Sequence, residues 1–148
     1  MFKYTLLNSA AKPLSRANPM DSGYDLFPTE SISVNPGQTV KVPTGIAMVS
    51  YKQGWASFIM ERSGLALKNS IRVGGGVIDA TYTGEICVIV QNLGNEVFEV
   101  SPNKAIAQLV FQPVAQGIDE LILVDKSEIP KTERGANGFG STDKKINE

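Results

Sequence analysis

The side chains able to do chemistry in this sequence are carboxylates, hydroxyls, amides and guanidiniums, because histidine is absent and Cys87 is the single cysteine. Ser-His-Asp and Cys-His machinery, imidazole metal sites and an internal disulfide framework are therefore excluded. Catalysis is expected to use carboxylates, hydroxyls and amides, with any metal held by oxygen atoms. The richest stretch is Arg134-Gly135-Ala136-Asn137-Gly138-Phe139-Gly140-Ser141-Thr142. Its glycines let backbone N–H groups approach a phosphate, Arg134 offers a bidentate fork, and Ser141 and Thr142 add donors around one aromatic plate. It lacks the Gly-Lys-Ser/Thr ending of a Walker loop. Composition alone favours a mobile polar tail, but Phe139 among glycines calls for something to stack on.

Four further stretches carry weaker signals. Glu61-Arg62-Ser63-Gly64-Leu65-Ala66 follows a strand pattern and can open a short helix whose free N–H groups, with Arg62 and Ser63 beside them, suit an anion. Its plainer reading is a serine N-cap. Gly74-Gly75-Gly76-Val77-Ile78-Asp79-Ala80-Thr81-Tyr82-Thr83-Gly84-Glu85-Ile86 reads as a hairpin around Asp79, Tyr82 and Gly84, with three glycines that admit a flat ligand to bare backbone. Asp79 can equally be a turn residue bonded to its own backbone, and Tyr82 a strand aromatic. Asp21-Ser22-Gly23-Tyr24-Asp25-Leu26 reads as a turn entering a strand, and Lys104-Ala105-Ile106-Ala107-Gln108-Leu109 as a strand with one inward amide.

The elements that must position these groups are short strands. Runs rich in β-branched and aromatic residues cover Ser31 to Val34, Thr39 to Val42, Gly45 to Ser50, Trp55 to Met60, Glu85 to Val90, Ala107 to Phe111 and Leu121 to Val124. Asn35-Pro36-Gly37-Gln38 is a turn between the first two. The one short helix falls around Ser63 to Lys68. Fourteen glycines and eight prolines scattered through 148 residues suit a sandwich, jelly roll or barrel and argue against βαβ repeats. The expected division is a β domain over 1–125 and a mobile, charged arm over 126–148 carrying the glycine-rich stretch.

A net charge of −1 carries none of the basic excess of a protein that binds nucleic-acid polymers. No apolar run approaches the roughly 20 residues of a membrane helix, and no secretory leader is visible, so a cytoplasmic, non-membrane protein is expected. Within Ile86-Cys87-Val88-Ile89-Val90 the thiol reads as a small hydrophobe.

Taken together and in order, the five stretches resemble the five motifs of the trimeric dUTPase family, from about Asp21 to Thr142. The resemblance implies an all-β, jelly-roll-like subunit with one short helix and a flexible C-terminal tail. It also implies a homotrimer whose active sites are shared between chains, and Mg²⁺-assisted attack of water on the α-phosphorus of dUTP, giving dUMP and pyrophosphate. Position by position, Asp79 matches the catalytic base and Gln108 the glutamine near the α-phosphate and water. Tyr82 matches the tyrosine packed on deoxyribose, and the uracil-reading backbone spans Gly76, Val77, Ile78 and Cys87. Arg62, Ser63 and Gly64 match phosphate contacts, and Asp25 the acid that holds the metal through its waters. In the tail, Arg134 matches the γ-phosphate ligand, Phe139 the ring stacked on uracil, and Gly140, Ser141 and Thr142 the remaining phosphate donors. Thr81, Asn103-Lys104, Asn137 and Glu61 depart from the usual motif residues. Two alternatives are a dCTP deaminase-type relative and a catalytically idle binding or regulatory member of the fold. Against the first stands Tyr82, with Arg62-Ser63-Gly64. Against the second stand Asp79, Gln108 and the complete tail motif.

Overall fold

The computed structural model describes residues 1–117 and 121–136. Residues 1–117 form one compact unit, and the chain beyond them a second. Within the first unit the order is β1 (Lys3–Leu6), β2 (Gly23–Leu26), β3 (Ile32–Val34), β4 (Thr39–Ser50), β5 (Trp55–Met60), α1 (Ser63–Asn69), β6 (Ile71–Gly74), β7 (Val77–Ile78), β8 (Glu85–Asn92), β9 (Phe98–Val100) and β10 (Ala107–Pro113). One four-stranded sheet runs β1-β4-β8-β6, a second runs β2-β10-β5-β7, and β3 pairs with β9. All these pairings are antiparallel.

Alternation decides which side chains enter the core. On β8, Ile86, Val88 and Val90 are fully buried while Cys87 and Ile89 face outward. On β10, Ala107 and Leu109 point in, so the amide of Gln108, expected to point inward, is turned by strand alternation to the opposite face. Leu26, Ile59 and Leu109 of one sheet meet Ile46, Ile71, Ile86 and Val88 of the other in a single cluster. Each such side chain contributes about 1.5–3 kcal/mol by leaving water.

The strand expected at Thr39 to Val42 and the one expected at Gly45 to Ser50 are one twelve-residue strand, β4. Its register shifts between Pro43 and Ile46, where Pro43 has no N–H to offer the ladder and Gly45 adopts φ +67°. The turn at Asn35 to Gln38 forms, with Gly37 at φ +76° and the Gln38 N–H donating to the Asn35 carbonyl at 3.0 Å. The strand expected at Leu121 to Val124 does not form: those residues are exposed, and among the described residues no ladder includes them. An apolar run becomes a strand only where an edge is available to pair with it. The arm does hold a 3-10 turn at Lys126–Glu128, capped by Asp125, whose carboxylate accepts from the Ser127 N–H and hydroxyl. No helix among the described residues is long and apolar enough to cross a membrane.

Candidate functional site

The second sheet carries the first half of the site. Gln108 lies in register with Asp25 on one side and Met60 on the other, so β10 holds its carboxamide beside the Asp25 carboxylate and the end of β5. Two residues beyond Met60, the chain turns into α1. Arg62 occupies the N-cap position with extended backbone and no side-chain cap bond, so Ser63 is not a capping serine. Arg62 Nη1 donates to Asp25 Oδ1 at 2.5 Å. Gln108 Nε2 donates to the Glu61 carbonyl at 2.9 Å. Gly23 leaves room for that carboxamide, since a Cβ there would stand 2.1 Å from Gln108 Oε1 and the Gln108 side chain would have to shift. Asp25, Arg62, Ser63, Gly64 and Gln108, with Lys68 and Lys104, line a cavity of about 680 Å³. Two features of an anion site are present there: a guanidinium held by a carboxylate, and two flanking ammonium groups.

Glu61, one of the departures from the family pattern, turns away from this cavity. Its carboxylate pairs with Arg72 Nε at 2.9 Å on the neighbouring strand β6.

Asp79 and Tyr82 lie elsewhere, in a second cavity of about 340 Å³ lined also by Lys41, Val77, Ile78, Glu85, Cys87 and Ile89. The expected hairpin is splayed. Its first arm, β7, pairs with β5 in one sheet, and its second arm, β8, pairs with β4 and β6 in the other. The Ile59 N–H donates to the Gly76 carbonyl at 2.7 Å and draws the first arm onto β5. Gly76 makes that approach possible, because a Cβ there would lie 2.4 Å from the Ile59 carbonyl oxygen. Between the arms, Asp79 and Tyr82 close a turn through the Tyr82 N–H and the Asp79 carbonyl at 2.9 Å. The Tyr82 hydroxyl donates to the Glu85 carbonyl at 3.0 Å, and its ring covers Gly84, where a Cβ would meet the phenol oxygen at 2.6 Å.

The electrostatics of this cavity reach its neighbours. Burial pushes the Cys87 thiol above its ordinary pKa and the Glu85 carboxylate adds to the shift, with Lys41 opposing. Burial also raises the Tyr51 phenol; its bond to Ser57 at 2.7 Å opposes this, and the Asp79 carboxylate adds to it. Cys87 is half-buried at the cavity wall, where sequence alone suggested a small hydrophobe and the resemblance a place in the uracil-reading backbone.

The structure therefore groups Asp25, Arg62, Ser63, Gly64 and Gln108 in one cavity and Val77, Ile78, Asp79, Tyr82 and Cys87 in another, with Gly76 fixing the second cavity's first arm. Phe139, Gly140, Ser141 and Thr142 lie outside the described residues, and Arg134 belongs to the separate C-terminal unit. Glu85 and Thr44, which anchor the wall of the second cavity, carried no sequence signal, since their partners are 40 or more residues away in the chain.

The structure is thus a jelly-roll β fold with two cavities, one cationic and one framed by bare backbone and a tyrosine. The family is given by comparison. A protein-family model described as dUTPase matches residues 9–143. A deoxyuridine 5'-triphosphate nucleotidohydrolase of Chlamydia caviae is 44% identical over 144 residues, 94% of this chain and 96% of that protein. Its counterpart in Chlamydia felis is 46% identical over 129 residues, 84% of this chain and 86% of that one. Among solved structures, the dUTPase of Staphylococcus bacteriophage 80alpha with dUPNHPP superimposes with a TM-score of 0.85 at 25% identity, covering 96% of this chain and 98% of that chain. This chain belongs to the dUTPase family.

Proposed function

We infer that the dUTP hydrolysis of this family is carried out here at a site assembled from more than one copy of the chain, with Asp79 as base for the water that attacks the α-phosphorus. The observation that carries this reading is the separation of the two half-sites: the Asp79 cavity and the Arg62–Gln108 cavity share no lining residue. A base without phosphate ligands and phosphate ligands without a base become one site if neighbouring subunits bring them face to face. A homotrimer with three equivalent sites satisfies that requirement by symmetry.

In such a site the work of this chain is positioning and charge stabilisation, as phosphoryl transfer requires. Arg62 and the Ser63 and Gly64 donors hold the phosphates, and Gln108 orients the water through a carboxamide already fixed on the Glu61 carbonyl. Asp79 takes the proton as pyrophosphate leaves. Tyr82 packs on the sugar and leaves no space for a 2′-hydroxyl. Gly76 and Cys87 present main-chain groups to uracil, and cytosine would set a donor against a donor there, a mismatch worth about 10⁴ in kcat/KM. The tail, with Arg134, Phe139, Gly140, Ser141 and Thr142, completes the site over the γ-phosphate and the base.

Mg²⁺ is the ion this family uses, and the donor set suits it. Asp25 keeps one carboxylate oxygen beyond its bond to Arg62, and Mg²⁺ is commonly held by one or two carboxylates together with waters and substrate phosphates. When bound it supplies charge neutralisation along the triphosphate.

Subunit mixing tests the shared site. Asp79→Asn and Arg62→Ala homotrimers are each expected to be inactive. Unfolded together and refolded in equal amounts, they should regain activity at about one quarter of sites, those with a sound aspartate from one chain and a sound arginine from the next. Mixed trimers demonstrated by mass but devoid of activity would show that both groups act from the same chain.

A further inference from the structure

Thr44 and Gly45 form an extra step in β4, opposite Ile86 and Cys87. Two bonds fasten that step to the wall of the Asp79 cavity. The fully buried Thr44 hydroxyl donates to the Ile86 carbonyl at 2.5 Å. The Gly45 N–H donates to Glu85 Oε1 at 2.7 Å. Glu85 is held from its other side as well, since its carbonyl accepts the Tyr82 hydroxyl at 3.0 Å. Gly45 is a firm anchor: its own carbonyl accepts from the Leu7 N–H at 2.8 Å, and its Cα packs so closely that a Cβ would lie 2.5 Å from the Ala11 methyl.

We propose that Glu85 is a positioning residue for sugar selection, its carboxylate anchored on the β4 bulge so that its carbonyl fixes the height of the Tyr82 ring in the cavity shared with Asp79. A carboxylate accepting a backbone N–H is a strong, short tie, and it lies on the residue whose carbonyl holds the phenol. With the tie cut, the 79–85 loop keeps its two ends and the turn bond from Tyr82 to Asp79. The ring can then ride outward by the fraction of an ångström that a 2′-hydroxyl needs. This inference rests on the reading of Tyr82 as the residue that excludes the ribonucleotide.

The experiment measures kcat/KM for dUTP and UTP in the parent, Tyr82→Ala, Glu85→Ala and Glu85→Gln, with thermal unfolding of each. Glu85→Ala should lower the dUTP:UTP ratio about tenfold, the scale of one charge-assisted hydrogen bond. Glu85→Gln should hold the ratio within about threefold of the parent, because its amide oxygen still accepts from Gly45. A purely structural role would lower the melting temperature and leave the ratio alone. If Tyr82→Ala loses discrimination while Glu85→Ala keeps it, or if Gln fails to restore what Ala loses, the positioning role is wrong. If Tyr82→Ala itself keeps discrimination, the Tyr82 reading fails and the Glu85 role falls with it. Should Glu85→Ala not fold, Glu85→Asp, which keeps the charge but ends one methylene short of Gly45, replaces it, and an unchanged ratio there overturns the proposal.

Discussion

Replacing each of the three consecutive glycines by alanine tests how the first arm of the splayed hairpin is set. At Gly76 a Cβ would lie 2.4 Å from the Ile59 carbonyl oxygen, while ordinary contact begins at about 3.4 Å, so the arm has to move by about 1 Å. Ile59 cannot give way, because β5 is held by β10 along its length and by β7 at this point. The displacement falls on Gly76 to Asp79, the base and the uracil-reading backbone together. A shift of about 1 Å at reacting groups costs on the order of 10²-fold in rate, and the overpacking destabilises by about 1–3 kcal/mol. Gly74 is the internal control: its nearest neighbour to a Cβ is Ile89 Cγ2 at 3.7 Å, so alanine fits and activity should stay within about twofold. Gly75 lies between, with φ +58° and a movable Ile89 methyl at 3.1 Å, and alanine there should cost about 1–2 kcal/mol of stability with a smaller loss of rate. The assay is pyrophosphate release from dUTP, with thermal unfolding in parallel. If Gly76→Ala keeps activity within about threefold of the parent, the contact with Ile59 does not set the site and the reasoning fails.

Two other outcomes are expected. Asp79→Asn should abolish hydrolysis while dUTP still binds, read by calorimetry with the variant; turnover within about tenfold of the parent would remove Asp79 as base. Because burial and Glu85 raise the Cys87 thiol, less of it is thiolate at pH 8 than for a free cysteine. Its alkylation by iodoacetamide should therefore be slower than that of a model thiol and should climb at higher pH, and a non-hydrolysable dUTP analogue should slow it further. Ordinary thiol reactivity at pH 8 would contradict the cavity described around Cys87.

The chemistry closed to this protein is legible in its residue types alone. Absence of histidine and a lone cysteine exclude imidazole and disulfide machinery, while the attack on a triphosphate is implied by the resemblance of the five ordered stretches to the dUTPase motifs. The β-branched and apolar runs at Glu85 to Val90 and Ala107 to Phe111 likewise marked strands, but not their faces: sequence suggested an inward amide at Gln108 and a small hydrophobe at Cys87, and the ladders turn both side chains away from the core. Local pattern carries no address, however. It makes β7 and β8 look like two arms of one hairpin, whereas the Ile59–Gly76 bond and the β4 ladder place them in different sheets and open the cavity between them. It makes Leu121 to Val124 look like a strand although no edge in the described residues receives it. The pairing of Glu61 with Arg72 and the anchoring of Glu85 on Gly45 are decided in the same way, by which strands become neighbours. Side-chain chemistry and strand alternation are properties of a residue and its nearest neighbours in sequence. Register and sheet partner are properties of segments tens of residues apart, settled only when their apolar faces find a common core.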